Sequence, residues 1–242
     1  MTALFRAGAA LAAASAAHLA PSVLTIPPLH RAVAPRLSGR SQSRHIALTF
    51  DDGPNGESTP AVLDALGALG AQATFFVLGG EVEARPDLAR EIVERGHELA
   101  VHGWTHIPHL LRTPWGVYAD LARSSASIRA VAGVSPRYWR PPNGVLTGTG
   151  FVAARRLGLR PVLWTADGQD WRADATPRSV LARLDRQLTA GGTVLLHDSD
   201  ITSAPGSWHS TLGALPDLVD LCRSRGWRVG PLRDHWTEED AA

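Results

Sequence analysis

The sequence is poor in cysteine, has no cluster of basic residues and contains no long uninterrupted hydrophobic segment. Cys222 is the only cysteine among 242 residues, so no internal disulfide can form. We expect Cys222 to pack within the apolar face of a helix. The formal net charge of +1 gives no reason to expect a nucleic acid as partner. An apolar fraction of 44% is sufficient for a buried core.

The first 20 or so residues differ from the rest of the chain in being rich in alanine. Arg6 precedes a run of small residues at positions 7–14, which resembles a weak secretory signal. The run is too short and too interrupted to span a membrane. An alanine-rich helix packed on the domain, or a loose arm, explains the same composition, and both interpretations stay open. A secreted or cell-envelope location is slightly favoured over a cytoplasmic one.

From residue 45 onward, apolar segments of β-strand length alternate with helical patterns. Thr59-Pro60 and Thr176-Pro177 each place a proline at the first turn of a predicted helix. Repeated strand–helix units predict parallel strands joined by right-handed crossovers. The seven predicted strands are His45–Phe50, Thr74–Gly79, Glu98–Gly103, Arg137–Pro142, Pro161–Ala166, Thr193–Asp198 and Trp227–Leu232.

Polar residues that could take part in catalysis lie at or after the carboxyl ends of five of these strands. Groups from so many strands meet at one point only if the sheet curls around them, which favours a barrel over an open sheet. No glycine-rich phosphate-binding motif follows the first strand, which disfavours nucleotide binding. We therefore predict one α/β barrel domain over residues 44–242, preceded over residues 1–43 by the alanine-rich segment and a proline-containing linker. The polar residues are Asp51, Asp52, His102, Arg140, Asp170 and His197.

His102 and His106 are four residues apart, and Asp52 can supply a third ligand to a divalent metal ion. Three protein ligands leave positions open for water and substrate, as in catalytic sites. Adjacent carboxylates such as Asp51 and Asp52 repel each other unless a cation relieves them, and the second carboxylate can then act as a general base. The alternatives are a hydrogen-bonded structural histidine at position 102 and an Asx-type turn at Asp-Gly-Pro.

Five segments, in this order along the chain, resemble the motifs of the polysaccharide deacetylase family, also known as the NodB-homology domain or carbohydrate esterase family 4. The resemblance covers about residues 44–233. It implies a distorted (β/α)7 barrel and metal-dependent hydrolysis of acetyl groups, N-acetyl rather than O-acetyl, on a glycan or amino sugar. The segments are Thr49-Phe50-Asp51-Asp52-Gly53-Pro54, His102-Gly103-Trp104-Thr105-His106, Arg140-Pro141-Pro142-Asn143-Gly144, Asp167-Gly168-Gln169-Asp170-Trp171 and Leu195-Leu196-His197-Asp198.

The resemblance also implies a role for each matching residue. One divalent ion is expected, Zn²⁺ first and Co²⁺, Mn²⁺ or Ni²⁺ as alternatives. We expect a monomer that acts on an acetylated glycan. The implied roles are general base for Asp51, metal ligand for Asp52, His102 and His106, orientation of Asp51 for Arg140, general acid for His197, support of that acid for Asp170, and substrate contacts for Leu195, Trp171, Pro142 and Asn143.

Two positions depart from the family pattern. Gly103 stands where the family usually has Ser or Thr, so the metal loop must be braced differently. Asn143 stands where Tyr is common, but its backbone N–H is retained as an oxyanion donor. Outside the motifs, the other histidines that lack partners in the sequence are predicted to lie on the surface or in loops, namely His109, His209 and His235.

Three other functions would share part of this pattern. A hydrolase of a non-sugar amide or other C–N bond could use the same frame. A non-catalytic glycan-binding module would be expected to lose a base or a ligand, and none is missing. A mononuclear iron oxygenase also uses two histidines and one carboxylate, but that does not account for Arg140, Asp170 or His197. The absence of a G-x-S-x-G elbow argues against a serine hydrolase.

Overall fold

A computed structural model describes residues 2–236 and shows one curled, parallel β-sheet surrounded by helices. The strand order is β5-β4-β3-β2-β1-β7-β6, and β8 pairs with the first half of β1. The α/β barrel architecture predicted from the sequence is confirmed. The strands are β1 His45–Asp51, β2 Thr74–Leu78, β3 Glu98–Gly103, β4 Tyr138–Trp139, β5 Arg160–Pro161, β6 Ala166–Asp167, β7 Thr193–His197 and β8 Arg228–Gly230.

The two ends of the sheet, β5 and β6, are consecutive in the chain and are separated by only four residues. Within that link Val162 N–H donates to Trp139 O at 2.9 Å, on the β4 side. Thr165 N–H donates to Thr193 O at 2.9 Å, on the β7 side. The chain therefore changes partner strand between residues 162 and 165, which brings the edges of the sheet together. The single predicted strand Pro161–Ala166 is wrong in this respect, because the stretch consists of two short strands.

The helices cover the outer face of the sheet, and several begin with the signals that the sequence carries. α8 has Thr176 as N-cap, and the side chains of Thr176 and Ser179 form a capping box. α6 begins after the N-cap Thr113 and ends at Gly133, whose φ of 69° is the left-handed C-cap conformation. The helices are α1 Thr2–Leu19, α2 Pro27–Val33, α3 Ser58–Ala68, α4 Gly79–Ala84, α5 Pro86–Glu94, α6 Pro114–Ala132, α7 Gly148–Arg156, α8 Pro177–Gln187 and α9 Trp208–Ser224.

Two apolar clusters stabilise the fold, one on each side of the sheet. All seven residues of β1 are buried, as expected of a central parallel strand. Because side chains alternate along a strand, Ile46, Leu48 and Phe50 join the large cluster with the helices. Ala47 joins a smaller cluster with Phe76 and residues of other strands, which we take to be the barrel interior. Position 51 has the same parity as position 47, so its side chain belongs to the interior side.

The segment that precedes β1 packs against the barrel where the sheet edges meet. Leu163 N–H donates to Leu37 O at 2.7 Å, and the Thr193 hydroxyl donates to Gly39 O at 2.7 Å. Among the described residues, no helix is long and apolar enough to cross a membrane. The last residues of the predicted domain, 237–242, lie outside the described residues.

Two of the three histidines predicted to lie on the surface or in loops are buried, although both lie outside the α-helices and β-strands. His109 is fully buried and its ring stacks on Trp139 with centroids 5.6 Å apart. His235 is also fully buried, with its Nδ1 3.0 Å from His45 Nδ1. His209 is exposed, as predicted.

Candidate active site

A cleft of about 360 Å³ lies at the carboxyl ends of the strands. The ends of β1, β3, β6 and β7 and the loop after β4 all contribute side chains to it, which is where active sites of parallel barrels lie. Asp52, Asp170 and Arg140 are buried around it rather than lining it. The lining residues are Asp51, His102, His106, Asn143, Gly144, Trp164, Asp167, Trp171, Leu195, His197, Thr202 and Ser203.

The end of β1 and the turn that follows it carry the two adjacent carboxylates, of which Asp51 lines the cleft and Asp52 is buried beside it. Asp52 has a φ of 79°, a left-handed conformation that is uncommon for a residue with a side chain. Gly53 follows it, and a Cβ there would lie 2.1 Å from Asp198 Oδ2. The buried Asp198 carboxylate accepts from the Thr59 hydroxyl at 2.6 Å, which ties the turn to β7 and α3. Glycine is therefore required at position 53 because the Asp198 carboxylate occupies the space that a side chain would need.

Asp52, His102 and His106 bring one ligand atom each to within 4.8 Å of the others. Asp52 Oδ1 lies 3.2 Å from His102 Nε2 and 3.5 Å from His106 Nε2. His102 Nδ1 lies 2.9 Å from Arg140 O, a contact that directs Nε2 toward the carboxylate. Asp52 Oδ1 is buried and takes no hydrogen bond within the described chain, which is the state expected of a ligand atom. The three residues fit a divalent metal ion.

The electrostatics of this group also call for a cation. Burial alone would raise the pKa of Asp52, but its contacts with His102, His197 and His106 hold it well below its usual range. Burial opposes the charge on His102, yet Asp51 and Asp52 raise the pKa of its ring. Burial, together with His102, lowers the pKa of His106. A positive charge therefore belongs beside Asp52, and a metal ion bound by neutral histidines can supply it.

Asp120 on α6 braces the loop between the two histidines. Its Oδ2 accepts from Trp104 N–H at 2.9 Å, and its Oδ1 pairs with Arg112 Nη2 at 2.8 Å. Arg112 Nη2 also donates to the Thr105 hydroxyl at 2.6 Å. Gly103 has a φ of 148°, and a Cβ there would lie 3.0 Å from Asp120 Oδ2. The loop is thus held by Asp120 on the neighbouring helix α6, whereas the family usually has a hydroxyl side chain at position 103 itself.

Arg140 holds Asp51 from inside the barrel. Its Nη1 donates to Asp51 Oδ1 at 2.6 Å and to the Thr49 hydroxyl at 2.9 Å. Its Nε and Nη2 donate to the carbonyls of Val162 and Leu163 at 3.3 and 2.9 Å. Burial lowers the pKa of the guanidinium, and Asp51 opposes that shift. Asp51 Oδ1 is therefore fixed, while its Oδ2 lies 3.9 Å from His102 Nδ1.

His197, at the end of the neighbouring strand β7, forms a second charged pair with Asp170, which follows β6. His197 Nδ1 lies 2.8 Å from Asp170 Oδ1, and His197 N–H donates to Asp170 Oδ2 at 2.7 Å. The Thr211 hydroxyl donates to the same Oδ2 at 2.5 Å. Burial alone would lower the pKa of His197, but Asp170, with Asp52 and Asp51, raises it to about 10. These carboxylates favour the protonated form of the ring, and His197 lines the cleft with its Nδ1 held by Asp170.

The residues predicted to contact substrate differ in their placement. Leu195 lines the cleft and is nearly buried, whereas Trp171 lines it and is 42% exposed. Asn143 lines the cleft with a φ of 56°, a conformation that asparagine tolerates better than most residues. Pro142 is buried, is not among the residues that line the cleft, and lies close to Gly103.

Five lining residues were given no role in the site by the sequence: Gly144, Trp164, Asp167, Thr202 and Ser203. Trp164 follows β5 in the link between the sheet edges. Thr202 and Ser203 lie in a loop of small and polar residues, where nothing local marks them. Their proximity to the site depends on contacts with residues about 150 positions away.

Comparison with known proteins agrees with this geometry. The sequence profile of the family described as polysaccharide deacetylase matches residues 38–162. A chitooligosaccharide deacetylase of Bradyrhizobium sp. (strain ANU 289) is 37% identical over 203 residues, which are 79% of this chain and 90% of that protein. A peptidoglycan-N-acetylglucosamine deacetylase of Listeria monocytogenes is 34% identical over 173 residues, 70% of this chain but only 36% of that longer protein.

Solved structures give the same result. A family 4 acetyl xylan esterase from Clostridium thermocellum, in complex with a cobalt ion, has a TM-score of 0.70 at 30% identity. The match covers 78% of this chain and 88% of that one. Because the family profile spans more than half of the sequence and the Bradyrhizobium relative aligns over most of its length, the chain belongs to the polysaccharide deacetylase family.

Proposed function

We propose that this protein hydrolyses the acetamido groups of an N-acetylated glycan, releasing acetate and leaving a free amine. The observation that carries the proposal is the convergence of three groups at one cleft. These groups are the Asp52, His102 and His106 cluster, the Asp51–Arg140 pair and the His197–Asp170 pair. A binding module would need neither of the two charged pairs.

A divalent ion held by Asp52, His102 and His106 would polarise the acetyl carbonyl and lower the pKa of a water molecule. Two histidines and one carboxylate suit Zn²⁺, and we propose zinc as the metal, with Co²⁺, Mn²⁺ and Ni²⁺ as substitutes. The cobalt ion in the Clostridium thermocellum relative supports a site for a divalent transition metal and the inclusion of Co²⁺ among the candidates.

Asp51 is the general base in this proposal. Arg140 fixes Oδ1, so Oδ2 is the oxygen that accepts the proton of the attacking water. The backbone N–H of Asn143 is the proposed donor to the carbonyl oxygen as negative charge develops on it. Leu195 and Trp171 enclose the acetyl methyl group. Asp51, Asn143, Leu195 and Trp171 all line the cleft, which supports these roles.

His197 is the proposed general acid, and it favours an amide over an ester substrate. Breaking the C–N bond requires a proton on the departing nitrogen, since an amine anion is a very poor leaving group. A histidine with a pKa raised to about 10 carries that proton across the neutral pH range. Asp170 holds Nδ1, so Nε2 delivers the proton. The named activities of the Bradyrhizobium and Listeria relatives support the N-acetyl assignment.

We assign this activity to the domain at residues 44–242, because every proposed site residue lies within it. The segment before it contributes packing near the cleft, where the Thr25 hydroxyl lies 3.4 Å from Gly144 O.

The test is acetate release from N-acetylated chitooligosaccharides, peptidoglycan and acetylated xylan, with zinc-loaded and metal-stripped protein. We expect zinc-dependent acetate release from one of the two N-acetylated substrates, with acetylated xylan slower. Release from xylan alone would show an esterase instead. Failure on every glycan, together with zinc-dependent hydrolysis of small amides, would support the alternative C–N hydrolase.

A further inference from the structure

The loop between β7 and α9, residues 198–207, folds back over the metal ligand Asp52. The Thr202 hydroxyl donates a short hydrogen bond to Asp52 Oδ2. This oxygen is the one that does not face the histidines, because Oδ1 lies nearest to both Nε2 atoms. The two oxygens of this carboxylate are therefore divided between a hydrogen-bond donor and the metal position.

The position of Thr202 is determined by the internal hydrogen bonds of the loop. Asp200 Oδ2 accepts from Gly206 N–H at 2.7 Å, and Asp200 O accepts from Ser203 N–H at 3.1 Å. Ala204 N–H donates to Trp171 O at 3.0 Å, which ties the loop to the segment after β6. These hydrogen bonds restrict the conformation of the loop. The Thr202 hydroxyl therefore has a defined position from which it can orient another side chain.

Asp52 needs such a donor because its backbone alone does not fix its carboxylate. The residue stands in a turn with a left-handed φ, and its side chain can still rotate about its terminal torsion. Rotation would exchange the oxygens or turn both away from the histidines. A hydroxyl bonded to Oδ2 opposes that rotation and keeps Oδ1 between His102 and His106.

We propose that Thr202 is a positioning residue that fixes Asp52 in the geometry required for metal binding. The inference rests on the proposed metal site and adds a residue from outside the recognised motifs. Hydrogen bonds to ligand side chains typically contribute about 10–100-fold to metal affinity. Thr202 also lines the cleft, so its methyl group lies where substrate enters, but the role inferred here belongs to its hydroxyl.

The test is the zinc affinity of metal-stripped, full-length protein, measured by calorimetric titration and by competition with a chromophoric chelator. Thr202→Val keeps the shape but removes the donor, and we expect zinc to bind about 10–100-fold more weakly. Thr202→Ser keeps the donor and is expected to bind zinc as the unsubstituted protein does. Ser203→Ala removes the adjacent hydroxyl, which is not bonded to Asp52, and serves as the matched control.

Two further readouts separate positioning from loss of structure. The zinc-free Thr202→Val protein should still unfold cooperatively, with a thermal midpoint lowered only by the loss of one hydrogen bond. The visible spectrum of its Co²⁺ form should change. Equal zinc affinity in Thr202→Val and the unsubstituted protein would overturn the inference, as would a Thr202→Ser variant as weak as Thr202→Val. If the unsubstituted protein binds no zinc, the proposed function itself fails and this inference with it.

Discussion

Replacing Asp170 with asparagine tests the proposed acid through a change of one charge. Asp170 Oδ1 is 2.8 Å from His197 Nδ1, and its Oδ2 accepts from the His197 backbone and from the Thr211 hydroxyl. Asparagine can keep the second set of contacts with its amide oxygen. Its NH₂ group then faces Nδ1, which must accept a hydrogen bond and lose its proton. The substitution therefore favours the neutral ring without removing packing or a metal ligand.

The expected magnitude follows from the charge that is lost. Burial opposes the charge on His197, and Asp170 is the largest favourable contribution to a pKa of about 10. An opposite charge at such short range typically shifts a pKa by about 1–3 units. We therefore expect the pKa of His197 to fall by about 1–3 units, each unit corresponding to about 1.36 kcal/mol. Since His197 acts in its protonated form, activity is lost as pH rises through this pKa, and the alkaline limb moves to lower pH.

The assay is the pH dependence of kcat/KM for acetate release, which reports groups of the free enzyme. Zinc content, measured by atomic absorption, should be the same in both proteins. Asp174→Asn is the matched control, because Asp174 is exposed and its carboxylate pairs with Arg172 rather than with His197. An alkaline limb that stays in place in Asp170→Asn, or that moves equally in Asp174→Asn, would refute the assignment.

Three further predictions concern the base, the metal and the loop that holds the metal ligands. Asp51→Asn should lower kcat by about 10²–10⁴-fold with zinc content unchanged, because it removes proton transfer but no ligand; a near-normal rate would contradict the role. Prolonged chelation should abolish acetate release and added Zn²⁺ or Co²⁺ should restore it, whereas activity in verified metal-free protein would exclude metal catalysis. Asp120→Ala leaves Trp104 N–H without its acceptor, so denaturant unfolding of zinc-free protein should show a loss of about 1–3 kcal/mol. The same variant should bind zinc more weakly in titrations, and an unchanged affinity would show that the loop does not depend on Asp120.

The parts of the fold that the sequence predicts well are those encoded by local patterns. Apolar runs of strand length and the proline and threonine signals at helix starts place most elements within a few residues. The prediction of a single fifth strand was wrong because an apolar run does not indicate which strand it will pair with. Between Val162 and Thr165 the chain leaves β4 and joins β7. That change is set by closure of the barrel, which involves residues far apart in sequence.

The site shows the same division between local and distant information. His102 and His106 are recognisable from their spacing, and both reach Asp52. His109 was predicted to lie on the surface or in a loop because the sequence shows no partner for it, but Trp139 of β4 stacks on its buried ring. Thr202 lies 150 residues from the carboxylate that it contacts. No short segment of the sequence indicates such a pairing. These contacts can be recognised only once the folded barrel brings the distant residues together.

The adjacent carboxylates Asp51 and Asp52 acquire different chemistry from the partners that hold them. Strand alternation sends Asp51 into the barrel, where Arg140 occupies Oδ1 and supplies a full positive charge. A second cation at that carboxylate would face the guanidinium, so Asp51 is suited to proton transfer. Asp52 leaves the strand in a left-handed turn, and Thr202 gives its Oδ2 a neutral donor. Its Oδ1 is left with two imidazoles and no permanent cation, so Asp52 is the carboxylate at which a divalent ion is needed.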